Sequence, residues 1–197
     1  MSRAPLIRWT LLALLLGAGA CVSTPDPPRY FRPLPPERAD ERAAAPLSSA
    51  RLTLARIEAA EHLGERIVWR RSEVELGFYD QERWTEPPAR FLEVALAREL
   101  FARRGLRHAE RGAPELQLRL LAMEEILLPQ HKARVRVWVR LVDPLREALL
   151  ERWVEAEVPV AAEEAPALAR AVGVALDEVV REIADAVAAA LPPAERE

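Results

Sequence analysis

The sequence predicts an α+β fold, an antiparallel sheet or sheets with two helices packed on it, in the order βββαβββ(β)α. Three observations carry this. Apolar and polar residues alternate over 51–57, 66–79, 116–120, 134–141 and 147–158, the period of strands with one buried face. The spacing becomes helical over 89–104 and again from Pro166 to Leu191. Short turn signals join the strands while the helices stand apart, which favours a sandwich of helices on an antiparallel sheet over alternating βα units.

Each element has its own signature. Residues 51–57, Arg-Leu-Thr-Leu-Ala-Arg-Ile, form a first strand. Residues 66–70 and 74–79 flank Arg71-Ser72-Glu73 and predict a β-hairpin. Pro87 and Pro88 stand where a helix begins, with Thr85 or Glu86 as its cap. Leu92, Leu96 and Leu100, joined by Ala95, then line one helical face, and Gly105 supplies a left-handed C-cap. In the second half Leu116, Leu118 and Leu120 alternate with Gln117 and Arg119. Val135, Val137, Val139 and Leu141 alternate with Arg134, Arg136, Trp138 and Arg140. Asp143-Pro144 marks a turn. Beyond it Val154, Ala156 and Val158 fall on one face, with Glu151, Trp153, Glu155 and Glu157 on the other. In the last helix Leu168, Val172, Ala175, Leu176, Val179, Val180, Ile183, Val187 and Leu191 occupy a sector of roughly 140°, so one face packs on a sheet. Pro192-Pro193 ends it.

The 197 residues fit one ordinary domain plus tails, large enough to bury a core without disulfides or metals. With 28 basic and 31 acidic residues the net charge is −3, which argues against nucleic-acid binding. One cysteine excludes an intrachain disulfide and a cysteine metal cluster. Seven glycines against 17 prolines speak against a glycine-rich phosphate loop.

Residues 1–20 read as a secretory signal. Arg3 and Arg8 precede a short apolar run from Trp9 to Leu16, followed by Gly17-Ala18-Gly19-Ala20. The run is shorter than the roughly 20 residues that a spanning helix needs. The sole cysteine, Cys21, follows directly and resembles the acylated residue of a bacterial lipobox, with Ala18 where Leu or Val is usual. An ordinary cleavage site with an incidental cysteine is the alternative. Each buried acyl CH₂ contributes ~0.8 kcal/mol, so several chains on Cys21 would hold the protein durably at a bilayer. Residues 21–47 form the lipidated cysteine and a tether containing Pro25, Pro27, Pro28, Pro33, Pro35, Pro36 and Pro46. At ~3.1 Å per residue this stretch reaches up to about 80 Å, as a semi-rigid spacer or as slack. The folded domain is expected over 48–191 and a tail over 192–197.

The stretch from Glu65 to Pro88 resembles one family. Arg83-Trp84-Thr85-Glu86-Pro87 follows the arginine-tryptophan-alanine-glutamate-proline pattern of the ABC-type transport auxiliary lipoproteins, which include paraquat-inducible protein C, with threonine for alanine. Tyr30 to Pro36 is similar to a degenerate form of the tyrosine-proline stretch that follows the family's cysteine. The resemblance implies a periplasmic lipoprotein that works with a mammalian-cell-entry (MCE) type lipid transporter, whose parts are an ATPase, a permease and an MCE-domain protein. Val22 and Ser23, with no Asp after the cysteine, favour the outer membrane by the usual sorting pattern.

No nucleophile–base pair, zinc signature or phosphate loop is present, so no enzyme activity, cofactor or metal is expected. His62, His108 and His131 read as surface residues in separate elements. Glu124 and Glu125 are adjacent on a strand, point to opposite faces and read as solvated charges. The candidate partner-binding residues are Trp84 with Arg83, and Arg136, Trp138 and Trp153 on the outward strand faces. For Trp84 a structural role at the helix start is the competing reading. For the strands, it is cross-strand pairing of the basic row with the acidic row through the Asp143-Pro144 turn. The expected function is a non-enzymatic, lipid-anchored auxiliary subunit of an MCE-type transporter, contacting its MCE-domain protein and the associated permease and ATPase. A homo-oligomer is compatible with this. The alternative is a structural or assembly lipoprotein of the envelope unrelated to lipid transport.

Overall fold

The computed structural model describes residues 26–37 and 50–191. Cys21, the residues expected as a signal, residues 38–49 of the expected tether and domain start, and the tail expected from 192 lie outside the described residues. Among the described residues nine strands form one sheet: β1 (Arg29–Phe31), β2 (Arg51–Leu54), β3 (Glu58–Ala59), β4 (Arg66–Ser72), β5 (Glu75–Trp84), β6 (Arg107–His108), β7 (Glu115–Ile126), β8 (Lys132–Val142) and β9 (Ala148–Pro159). Helix α1 (Pro88–Ala97) leads into a π-helical stretch (Arg98–Arg103), and α2 (Ala165–Ala190) follows β9.

The fold is α+β, but the sheet is mixed rather than antiparallel. The hairpins β4–β5, β7–β8 and β8–β9 are antiparallel. Along the other edge of β7, however, β2, β3 and β4 lie end to end, each parallel to it. Short connections imply antiparallel strands only when consecutive strands pair with each other. Here β2 and β3 pair with β7, formed later in the chain, and β4 pairs with β7 on one side while keeping its hairpin partner β5 on the other. The expected strand over 51–57 accordingly ends at Leu54, where β2 lies beside Glu115–Leu116, and a separate two-residue strand, β3, follows beyond it beside Arg119–Leu120.

One face of the sheet is closed by the helices. Helix α2 packs on β8 and β9, and α1 packs on α2, β3 and β7. Val135, Val137, Val139, Leu141 and Val154 meet Leu168, Val172, Val179, Ile183 and Val187 there, all buried. Removing such side chains from water at about 25 cal/mol per Å² is the main force holding the layers together. Leu92, Leu96 and Leu100 are fully buried as their spacing predicts, and Gly105 is left-handed with φ 69°. The helix expected through Arg104 turns π at Arg98. Arg104 N–H donates to Glu99 C=O, and the wider turn puts both Arg103 and Arg104 on the buried Glu99 carboxylate, each at 3.2 Å. The first helix starts on Pro87 with no side-chain cap, so neither Thr85 nor Glu86 serves as one.

The segment read as tether enters the fold. β1 pairs in parallel with β5, Phe31 packs against the core, and Pro33 is buried. Leu34 N–H then donates to Ala169 C=O of α2 at 3.3 Å. Gly173 makes this crossing feasible. A Cβ there would stand 2.6 Å from the Leu34 nitrogen and closer still to its carbonyl.

Candidate functional site

The face of the sheet opposite the helices carries the rows that the sequence places outward. The β8–β9 register sets Arg136 against Glu155, Trp138 against Trp153 and Arg140 against Glu151. The basic row therefore meets the acidic row as expected. Arg136 Nε lies 3.3 Å from Glu155 Oε2, and Arg140 Nε lies 3.7 Å from Glu151 Oε2. The Arg136 guanidinium also stands 5.0 Å from the centre of the Trp153 ring. Trp153 remains 54% exposed, on the outermost strand of the sheet. Beside the two tryptophans runs a groove of about 630 Å³. Its other walls are Gln117, Arg119 and Leu121 of β7 and the segment between β2 and β3, with Ala55 and Arg56.

Two of the five candidate partner residues do not belong to this surface. Trp84 is 1% exposed and meets Phe91 edge-on, ring centres 6.3 Å apart. It is a core residue and cannot meet a partner in this fold. Arg83 folds back along its own strand, donating to the carbonyls of Tyr79, Asp80 and Glu82. Backbone groups around the same motif join three elements. Trp84 N–H donates to Glu65 C=O at 2.6 Å, and Thr85 N–H to Phe31 C=O at 2.8 Å. The motif thus fastens β1, the β4–β5 hairpin and α1 together. A tryptophan beside an arginine has the same sequence signature whether it serves the core or a partner.

Glu124 and Glu125 point to opposite faces as expected, but neither is solvated. Glu124 is fully buried beneath Arg70 Nε at 2.9 Å and Arg134 Nε at 3.1 Å. Arg134 therefore turns to Glu124 across β7 rather than to Glu157, its register partner on β9. Burial works to lower its affinity for the proton, but the hydrogen bond and charge of Glu124 outweigh that and the guanidinium holds its proton more tightly than usual. Glu125 accepts a hydrogen bond from the Tyr79 hydroxyl and contacts His131 Nε2. Burial, followed by the bond to Glu125, raises the Tyr79 phenol well above its ordinary value. His131 is half-buried rather than a surface residue, and His62 is also half-covered, while His108 is exposed against Phe101. Among the described residues no group of three metal-ligating side chains comes together.

The model for the ABC-type transport auxiliary lipoprotein component matches residues 33–184. The chain belongs to that family. The match begins inside the N-terminal strap, at the buried Pro33, and ends within α2. Among solved structures, protein XCC0632 from Xanthomonas campestris is similar over 82% of this chain and 96% of its own, at 19% identity and a TM-score of 0.72. The hypothetical protein CT253 from Chlamydia trachomatis is similar over 72% and 96%, at 9% identity and a TM-score of 0.53. At these identities the likeness is one of fold. No curated protein matches the chain. As an auxiliary lipoprotein component, the chain is one part of an ABC-type transport assembly.

Proposed function

We propose that this auxiliary lipoprotein is a non-enzymatic docking subunit of an MCE-type transporter that moves lipids across the bacterial envelope. Acyl chains on Cys21 anchor it at the periplasmic face, at the outer membrane by the Val22-Ser23 signature, and the uncovered sheet face engages the MCE-domain protein. The observation that carries the reading is the pair Trp138–Trp153, one of them half exposed, beside a groove on a sheet face that no helix of the described residues covers. Tryptophan is favoured at interface hot spots because it covers a large area with few rotatable bonds. The paired charges around it suit a polar rim, which fixes orientation more than it adds affinity.

Trp153→Ala tests this directly. The side chain is not in the core, so melting should be almost unchanged, while capture of the MCE-domain protein should fall about thirtyfold, the equivalent of ~2 kcal/mol. Normal capture by Trp153→Ala and by Trp138→Ala would remove this face from the interface. Failure of the wild-type lipoprotein to capture any MCE-domain protein would favour an assembly role unrelated to lipid transport.

A further inference from the structure

The direction of β1 indicates which end of the molecule meets the membrane. β1 runs parallel to β5, with Arg29 opposite Glu82 and Phe31 opposite Trp84. Traced upstream from Arg29, the chain therefore heads back along β5 toward Glu75 and the β4–β5 turn. Pro27 and Pro28, immediately before β1, have fixed φ and favour an extended path. Arg29 lies eight positions after Cys21, a reach of ~25 Å for a proline-rich chain. Glu82 lies seven positions after Glu75, a span of ~23 Å along a strand. The two lengths coincide, so the anchor can reach the end of the sheet that holds the β4–β5 turn. The turn after β8 lies at the opposite end of β7, about 36 Å further along.

The end within reach carries apolar side chains at its tips, with the exposed Glu73 beside Val74 in the β4–β5 turn. Val74 in the β4–β5 turn is 97% exposed, Leu128 in the β7–β8 loop 57% and Leu76 39%. The turn and the loop border one shared groove. Arg71 and Lys132 flank it, each held by a carboxylate: Arg71 by Glu75 at 3.0 Å and Lys132 by Glu157 at 3.2 Å. Their charges are thereby largely balanced, and what this end offers to a partner is apolar surface inside an ionic collar.

We infer that the β4–β5 turn and the β7–β8 loop form a membrane-facing end, with Val74, Leu76 and Leu128 inserted into the interfacial layer of the bilayer that holds the acyl chains. The inference rests on Cys21 being the acylated residue. It accounts for the exposed aliphatic side chains of the β4–β5 turn and the β7–β8 loop, which suit the headgroup–acyl boundary; the direction of β1 distinguishes this end from the opposite one, where Leu145 is also exposed. It also sets the Trp138–Trp153 pair away from the bilayer. Trp138 is opposite Arg119, seven residues or ~23 Å from Ile126 at the membrane-facing end.

The test uses the full acylated chain in vesicles of phosphatidylethanolamine and phosphatidylglycerol. Acylation consumes the only native thiol, so an introduced cysteine can be labelled alone. A polarity-sensitive fluorophore is placed through Val74→Cys, through Leu128→Cys, and through Leu145→Cys at the opposite end, where the side chain is 82% exposed. Quenchers carried on the lipid chains should quench the label at 74 and at 128 several-fold more than at 145. Equal quenching at both ends, in protein whose Cys21 is acylated by mass spectrometry, would overturn the inference and leave the anchor standing. An unmodified Cys21 would overturn both.

Discussion

Replacing Gly173 by alanine should change sign according to whether the N-terminal strap is present. Inside a helix, alanine is favoured over glycine by about 1 kcal/mol, because glycine loses more backbone entropy on folding. Gly173 is buried in the third turn of α2, so on helix propensity alone the substitution stabilises. The structure opposes this, because the new Cβ would meet the backbone N, C and O of Leu34, all well under 3.0 Å away. Backbone on both sides cannot rotate out of the way as a side chain would. Overpacking of this kind costs about 1–3 kcal/mol, and here the simplest relief is to lift the strap off α2, breaking Leu34 N–H to Ala169 C=O. The full chain should therefore lose up to about 2 kcal/mol by denaturant unfolding, with faster amide exchange at Leu34. In a chain begun at Ser48 the same substitution should instead gain about 0.5–1 kcal/mol. If Gly173→Ala stabilises the full chain, the strap does not press on α2 as described.

Four further outcomes are expected. Reversing the charge of Arg136 or of Glu155 should each cost up to about 1 kcal/mol, and reversing both should restore most of it; an additive double variant would mean that the two rows do not interact in solution. Trp84→Ala should lower stability by ~3–5 kcal/mol and weaken partner binding only as far as it unfolds, the opposite of Trp153→Ala, which a paired melting and capture experiment would resolve. Glu124→Ala should cost ~3–5 kcal/mol in a denaturant titration because it strips two partly buried arginines of their counter-charge. Stability should also fall as pH rises above the ordinary phenol value of 10.0, because an unfolded Tyr79 releases its proton there while the folded one keeps it, so the unfolded state is favoured with rising pH. Tyr79→Phe should remove that part of the alkaline decline, and a decline unchanged by the substitution would place its origin elsewhere.

The sequence by itself determined the elements whose pattern is local. The faces of β8 and β9, the Asp143-Pro144 turn between them and the buried stripe of α2 follow from periods of two and 3.6, and opposite charges on consecutive strands implied their pairing. The motif from Arg83 to Pro87, with the lipobox, carried the family. The tertiary structure decided what depends on residues distant in sequence. β2, β3 and β4 became parallel because they share the edge of β7, at least 56 positions downstream of each pairing residue. Flanking prolines forbid helix but not a short edge strand between them, so the prolines on either side of residues 29–31 did not separate tether from sheet. The burial of Trp84, and of Glu124 and Glu125, came from the neighbours that long-range pairing supplied. A tryptophan or a carboxylate reads alike on a surface and in a core, and only the groups brought against it, here Phe91 for Trp84, Arg70 and Arg134 for Glu124, Tyr79 and His131 for Glu125, fix which it becomes.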